Sequence, residues 1–180
     1  MERSSIFRLA GSVVVTAGVL LGPVGANAAS HTSGHKSSTP TWVTTKGKVV
    51  NLTLIAAYNN TGSGFNFNGA AKGQLTVTVP LGDKVNVTFS NNAALPHSAQ
   101  VIAYSKNVPS GPVSDAFKGA NTANSTSGVT KGTTQKFSFT ANKAGNYLII
   151  CAVPGHAAAG MWDTLVVSKS AHTASVSLKK

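Results

Sequence analysis

The stretch GNYLIICAVPGHAAAGMW, residues 145–162 of this 180-residue chain, gathers three metal-capable side chains. Cys151, His156 and Met161 follow one another with four residues between each pair. The sequence has one cysteine and two methionines in all, so a chance cluster is a poor explanation. Thiolate, imidazole and thioether make up the donor set of a mononuclear electron-transfer copper site, short of one more imidazole. Any fold for this chain must therefore hold a second loop, bearing that imidazole, against the first.

The missing ligand is expected at His97. His31 and His35 stand in a small, polar, Ser/Thr-rich leader and His172 in a polar tail, whereas His97 opens an apolar segment in NNAALPHSAQVIAY. Cys151 ends the apolar run 147–152; Pro154 and Gly155 then turn the chain, and the small residues 157–160 bring Met161 round. Cys151, His97 and His156 would form a trigonal set with Met161 as the weak axial ligand. Zinc is the rival ion, but structural zinc prefers several cysteines or paired Cys and His, and thioether suits it poorly. A lone cysteine can also be simply buried, reactive or paired between chains.

Everything from Trp42 onward reads as β-structure. Residues 49–57 are mostly apolar with β-branched members, and GQLTVTVP (73–80) and VNVTF (85–89) alternate apolar with polar. The turn Pro80-Leu81-Gly82-Asp83 between the last two predicts a hairpin with one buried face. Further strands are expected at 97–104, around Phe137 and Phe139, at 147–152, at 164–168 and, as an edge, at 174–178. The one weak helix candidate is 113–119, inside an irregular stretch from 105 to 131. Several short strands with turn signals between them argue for an all-β sandwich.

Residues 1–28 have the pattern of an export signal: Arg3 and Arg8, an uncharged apolar segment at 9–21, and Ala26-Asn27-Ala28 as a cleavage site. The expected organisation is a signal at 1–28, a flexible polar leader at 29–41, one β domain at 42–170 and a polar tail at 171–180. The protein is expected to be exported to the periplasm. If the signal were retained, it would anchor the protein to the outer face of the cytoplasmic membrane, although the apolar segment is short of the ~20 residues of a span. Cleavage after Ala28 would expose Ala29-Ser30-His31, an amine-amide-imidazole set able to take a second metal in a square plane outside acid.

The formal net charge is +11, yet the lysines are scattered and no arginine follows the signal, which argues against a nucleic-acid role. Only Asp83, Asp115 and Asp163 carry acidic side chains beyond the signal. Acid unfolds proteins largely through native carboxylates and buried histidines, so this chain offers acid little to act on. An acidic working medium is expected.

The segments FNFNG (65–69), LPHS (95–98) and CAVPGHAAAGM (151–161) resemble the cupredoxins, most of all the sulfocyanins. The spacing of Cys, His and Met is also similar to that of rusticyanin, and the lead-in Gly145-x-Tyr147-x3-Cys151 to that of plastocyanins. The resemblance spans residues 49–168. It implies a Greek-key β-sandwich, one type 1 copper and one-electron transfer in a respiratory chain, with a cytochrome or terminal oxidase as partner. Ser98, where many blue copper proteins have Asn, implies a high potential and acid tolerance. A monomer is expected, with Leu95, Pro154, Ala157, Ala158 and Ala159 forming an apolar electron-transfer patch around His156. The alternative is a periplasmic copper chaperone or store on the same fold. Catalysis is not expected, because the remaining histidines lie in the leader and tail and the aspartates are widely spread.

Overall fold

The computed structural model describes residues 41–179. The expected signal, and the leader with His31 and His35, lie outside the described residues apart from Thr41. Among the described residues nine strands follow in order: β1 (Val43–Lys46), β2 (Val49–Ala56), β3 (Leu75–Pro80), β4 (Lys84–Asn91), β5 (Gln100–Ala103), β6 (Thr134–Thr140), β7 (Gly145–Ile150), β8 (Trp162–Ser168) and β9 (Ser175–Leu178). They form a four-stranded sheet, β1-β2-β4-β6, and a five-stranded sheet, β5-β7-β8-β3-β9. Among the described residues no helix is long and apolar enough to cross a membrane.

Of the consecutive strands, only β1 with β2 and β7 with β8 pair directly; the other connections leave the sheet or skip a neighbour. The expected hairpin of β3 and β4 is therefore wrong. β3 pairs in parallel with β8 and antiparallel with β9, while β4 pairs with β2 and β6 in the opposite sheet. Two alternating strands that share a hairpin and two that face each other across a sandwich carry the same apolar pattern. What separates them is the turn. Leu81 donates to the Ser168 carbonyl in one sheet and Gly82 to that of Ala141, just past β6, in the other, so the turn is a bridge between layers.

The inner faces meet in one core. Val50, Leu52, Leu54, Val85, Val87 and Phe89 come from the first sheet and Leu75, Val77, Val79, Leu165 and Val167 from the second. Each such side chain is worth roughly 1.5–3 kcal/mol of burial. β7 is apolar on both faces for a reason visible in the packing. Tyr147 and Ile149 enter this core, while Leu148 and Ile150 join Ile102, Ala152 and Ala157 in a second cluster on the outer face.

Two further expectations fail locally. Strand 97–104 shortens to β5, because His97 is tied instead to Val129 by an isolated bridge. The 113–119 segment is not a helix. Ala116 and Ala120 exchange hydrogen bonds with Val101, and Gln100 holds the Val113 carbonyl and Asp115, so the segment runs along the edge of β5. Residues 171–179 are more than a tail, since β9 within them pairs with β3 and Ala174 donates to Thr45 Oγ1 near β1.

Candidate metal centre

Cys151 directly follows β7, and three backbone bonds close the loop behind it. Cys151 N–H donates to Met161 O (3.1 Å), Met161 N–H to His156 O (3.0 Å) and His156 N–H to Val153 O (3.1 Å). Gly155, at φ 83°, makes the reversal and donates to Ser110 O (3.0 Å), which ties the loop to the irregular 105–131 stretch.

His97 is held from the other side. Its N–H donates to Val129 O (3.2 Å) and its carbonyl accepts from Val129 N–H (2.8 Å). The Asn91 amide at the end of β4 donates to the carbonyls of Leu95 and Val129, both at 2.8 Å. Gly128, at φ +70°, lies so close that a Cβ there would come within 3.0 Å of both His97 N and His97 O. Ser98 joins the two loops. Its N–H points at Cys151 Sγ (3.3 Å), and its hydroxyl oxygen accepts from Ala152 N–H (2.9 Å).

The result is a compact triangle of donors. His97 Nδ1 and His156 Nδ1 are 3.2 Å apart, His156 Nδ1 and Cys151 Sγ 3.4 Å, and Cys151 Sγ and His97 Nδ1 3.8 Å. An ion central to such a triangle would lie about 2.0 Å from each corner, close to ordinary metal–imidazole and metal–thiolate bond lengths. Met161 is fully buried, and its backbone is hydrogen-bonded to the backbones of Cys151 and His156. The donor set, one thiolate, two imidazoles and one thioether, fits copper.

Electrostatics agree with a site that waits for a cation. Burial, and then the neighbouring His156, lower the His97 pKa to about 4, and burial also lowers that of His156. Burial thus favours the neutral, ligating form of both imidazoles. Burial raises the Cys151 thiol, against the pull of the Ser98 and Val153 N–H groups and the Ser98 hydroxyl. Metal binding here displaces a proton.

Of the expected patch, Leu95, Pro154, Ala158 and Ala159 are exposed and His156 is half-exposed. Ala157 is not part of it. It is 3 % exposed and packs into the outer cluster with Ile102, Leu148 and Ile150. An alternating position in a turn can point either way, and here the apolar outer face of β7 takes it. His172 is exposed and stands outside the group.

Among the described residues, His97, Cys151 and His156 are a group whose ligand atoms all lie within 4.8 Å of one another. The family model described as the sulfocyanin (SoxE) domain matches residues 36–176. The chain belongs to the sulfocyanin family. It is 35 % identical over 130 residues to the sulfocyanin of Sulfolobus acidocaldarius, covering 68 % of this chain and 65 % of that protein's length. Among solved structures it is similar to rusticyanin from Thiobacillus ferrooxidans, at 29 % identity and a TM-score of 0.47, over 71 % of this chain and 86 % of that one. It is likewise similar to auracyanin from Roseiflexus castenholzii, at 24 % identity and a TM-score of 0.47, over 66 % of this chain and 96 % of that one.

Sequence reasoning missed the supports behind the ligands. Asn91, Gly128 and Val129 hold His97 from positions 6 residues before it and more than 30 after it, and no local pattern marks them. Phe65, in the FNFNG segment, packs on both histidines, and the motif alone gave no hint of that direction.

Proposed function

We propose that this protein is a one-electron carrier in which His97, Cys151 and His156 hold one type 1 copper ion, with Met161 as the weak fourth ligand. The observation that carries the reading is the donor triangle with 3.2–3.8 Å sides, assembled from two loops that are each hydrogen-bonded in place. Bound copper supplies a couple between two oxidation states that differ by one electron. The residues supply the rest. The clamped loops keep the four donors in one arrangement, so little has to move when the charge changes. Ser98 N–H, 3.3 Å from Cys151 Sγ, stabilises thiolate charge and favours a high potential together with the apolar surroundings. His156, half-exposed among Pro154, Ala158, Ala159 and Leu95, is the edge at which a partner can approach.

The protein would work outside the cytoplasmic membrane in an acidic medium, passing electrons between donors and acceptors of a respiratory chain such as a cytochrome or a terminal oxidase. The three side-chain carboxylates in the described residues are buried or hydrogen-bonded. Asp83 and Asp163 are buried, and Asp115 accepts from Gln100 and Asn121. The exposed charges among the described residues are mainly lysines, which would favour an acidic partner face.

A redox titration of the copper-loaded protein, followed by its visible spectrum across pH, tests the reading. An intense blue thiolate band that bleaches reversibly with one electron per chain supports it. A colourless Cu(II) form assigns the protein to copper transport or storage instead. Cooperative unfolding between about pH 5 and pH 3 would remove the acidic setting.

A further inference from the structure

We infer that Phe65 is a positioning residue that closes the solvent side of the ligand group, and that the 65–69 segment is built to hold it there. The inference rests on the copper reading above. The Phe65 ring centroid is 4.9 Å from that of His156 at an interplanar angle of 77°, and 6.0 Å from that of His97 at 82°. The two imidazoles are themselves 4.9 Å apart. One benzene ring therefore stands nearly perpendicular to both histidines, on geometry that aromatic pairs prefer.

The segment that carries the ring is rigid, and each of its residues has a physical reason. Phe67 and Ala70 exchange both backbone hydrogen bonds, at 3.0 and 2.9 Å, around Asn68 and Gly69. Those two central residues have φ 54° and 82°, the left-handed pair that Asn-Gly adopts in a tight two-residue turn. A Cβ on Gly69 would meet Asn59 Nδ2 at 2.7 Å. The Asn68 side chain accepts from Ile55 N–H (2.6 Å) and donates to Thr53 O (2.8 Å), so it stands in for a neighbouring strand along β2. Asn66 accepts from the N–H groups of Tyr58 and Gly69 and donates to the carbonyls of Asn59 and Thr61. Both asparagines are buried with amide oxygen and nitrogen each hydrogen-bonded, which makes such a network stiff. Phe67 anchors the turn in the main core beside Phe89.

These anchors lie in β2, its following loop and the core, and none lies in the ligand loops. Phe65 is thus a fixed wall against which His156 packs, and His156 is the ligand with an open edge. The ring limits rotation of the imidazole and keeps water from the donors on that side. A wall that excludes water favours the oxidation state with less net charge, so it raises the potential.

The experiment uses copper-loaded protein carrying Phe65→Ala, Phe65→Leu, Phe65→Tyr or, as a control in the core, Phe139→Leu, a buried residue of β6 stacked on Phe117 and outside the anchors of the 65–69 segment. Three quantities are read: the blue band, the spectral response of the oxidised form to added azide, and the midpoint potential. The parent and Phe65→Tyr should exclude azide and share a potential. Phe65→Ala should bind azide and shift to lower potential, with Phe65→Leu between them. Phe139→Leu should lower the melting temperature and leave azide exclusion and potential alone. The proposal is overturned if Phe65→Ala excludes azide and keeps the parent potential, or if Phe139→Leu changes both as much. Should Phe65→Ala not fold, Phe65→Leu decides by the same criteria. A parent without a blue band would overturn the copper reading itself, whereas a blue parent indistinguishable from its Phe65 variants overturns only the role of the ring.

Discussion

The two histidines of the centre are the same ligand in different settings. His97 is 1 % exposed, bonded to Val129 through both its N–H and its carbonyl, and braced by Asn91 and Gly128. His156 is half-exposed, and its backbone is bonded only within its own turn, to Val153 and Met161. One half of the site is defined by tertiary clamps and the other by a local loop resting on Phe65 and on Ala157 in the outer cluster. The difference separates two tasks. The buried half fixes geometry, and under the proposed function the open half would give electrons a way out.

The most decisive way to break this comparison is to remove each imidazole. His156→Gly should lose the blue band and regain it on titration with free imidazole, because solvent reaches that position. His97→Gly should lose the band without recovery, its vacancy being sealed. Equal recovery in both would erase the distinction. Next in size is a charge placed on each side of the ligand loop. Ala157→Asp buries a carboxylate in an apolar cluster and should cost roughly 3 kcal/mol or more in a denaturant melt. Ala158→Asp, on an exposed position, should leave stability within about 0.5 kcal/mol. It should instead change the rate of electron exchange with a redox partner, and an unchanged rate would remove the surface around His156 as the docking site.

Asp163 sharpens the comparison through pH. It lies on the core face of β8, with Oδ1 accepting from Leu75 N–H at 2.9 Å and Oδ2 buried without a partner. Burial pushes its pKa from the usual 3.8 up to about 8, against the Leu75 bond. Below the unfolded value both states hold the proton. Between the two values the unfolded chain releases it and the folded chain keeps it, so stability falls as pH rises. The slope approaches about 1.4 kcal/mol per pH unit for one proton. Buried His97 and His156 act in the opposite sense in parent and variant alike, so the Asp163 contribution is read as a difference: melts at pH 4 and pH 7, at equal copper loading, should show Asp163→Asn losing, relative to the parent, the part of the stability that grows in acid. A backbone-borne effect is expected at Gly128→Ala. A left-handed backbone costs an L-residue about 1–2 kcal/mol, and the new methyl meets Val153 Cγ2 of the ligand loop as well as His97 N and O, so the blue band should shift.

The ligands were legible because their chemistry is rare in this composition. One cysteine, few methionines and a single histidine within the β domain upstream of Cys151 leave few combinations. Strand positions were legible from alternation, as in β4 with its pattern of buried Val85, Val87 and Phe89. Pairing partners were not. β3 and β4 have the same pattern whether they lie side by side or face to face, and only the bonds of Leu81 and Gly82 to different sheets decide. Ala157 was misplaced because nothing in four small residues marks which one turns inward.

By itself, then, the sequence determined the donor set, the all-β class and the shortage of carboxylates, since these depend on residue type and period. The tertiary structure alone decided which sheet each strand joins, which histidine is sealed and which is open, and that Phe65 faces both. Such facts depend on contacts between residues far apart in the chain, such as Asn91 with Val129 or Asn68 with β2. Their energies exist only once the sandwich has closed.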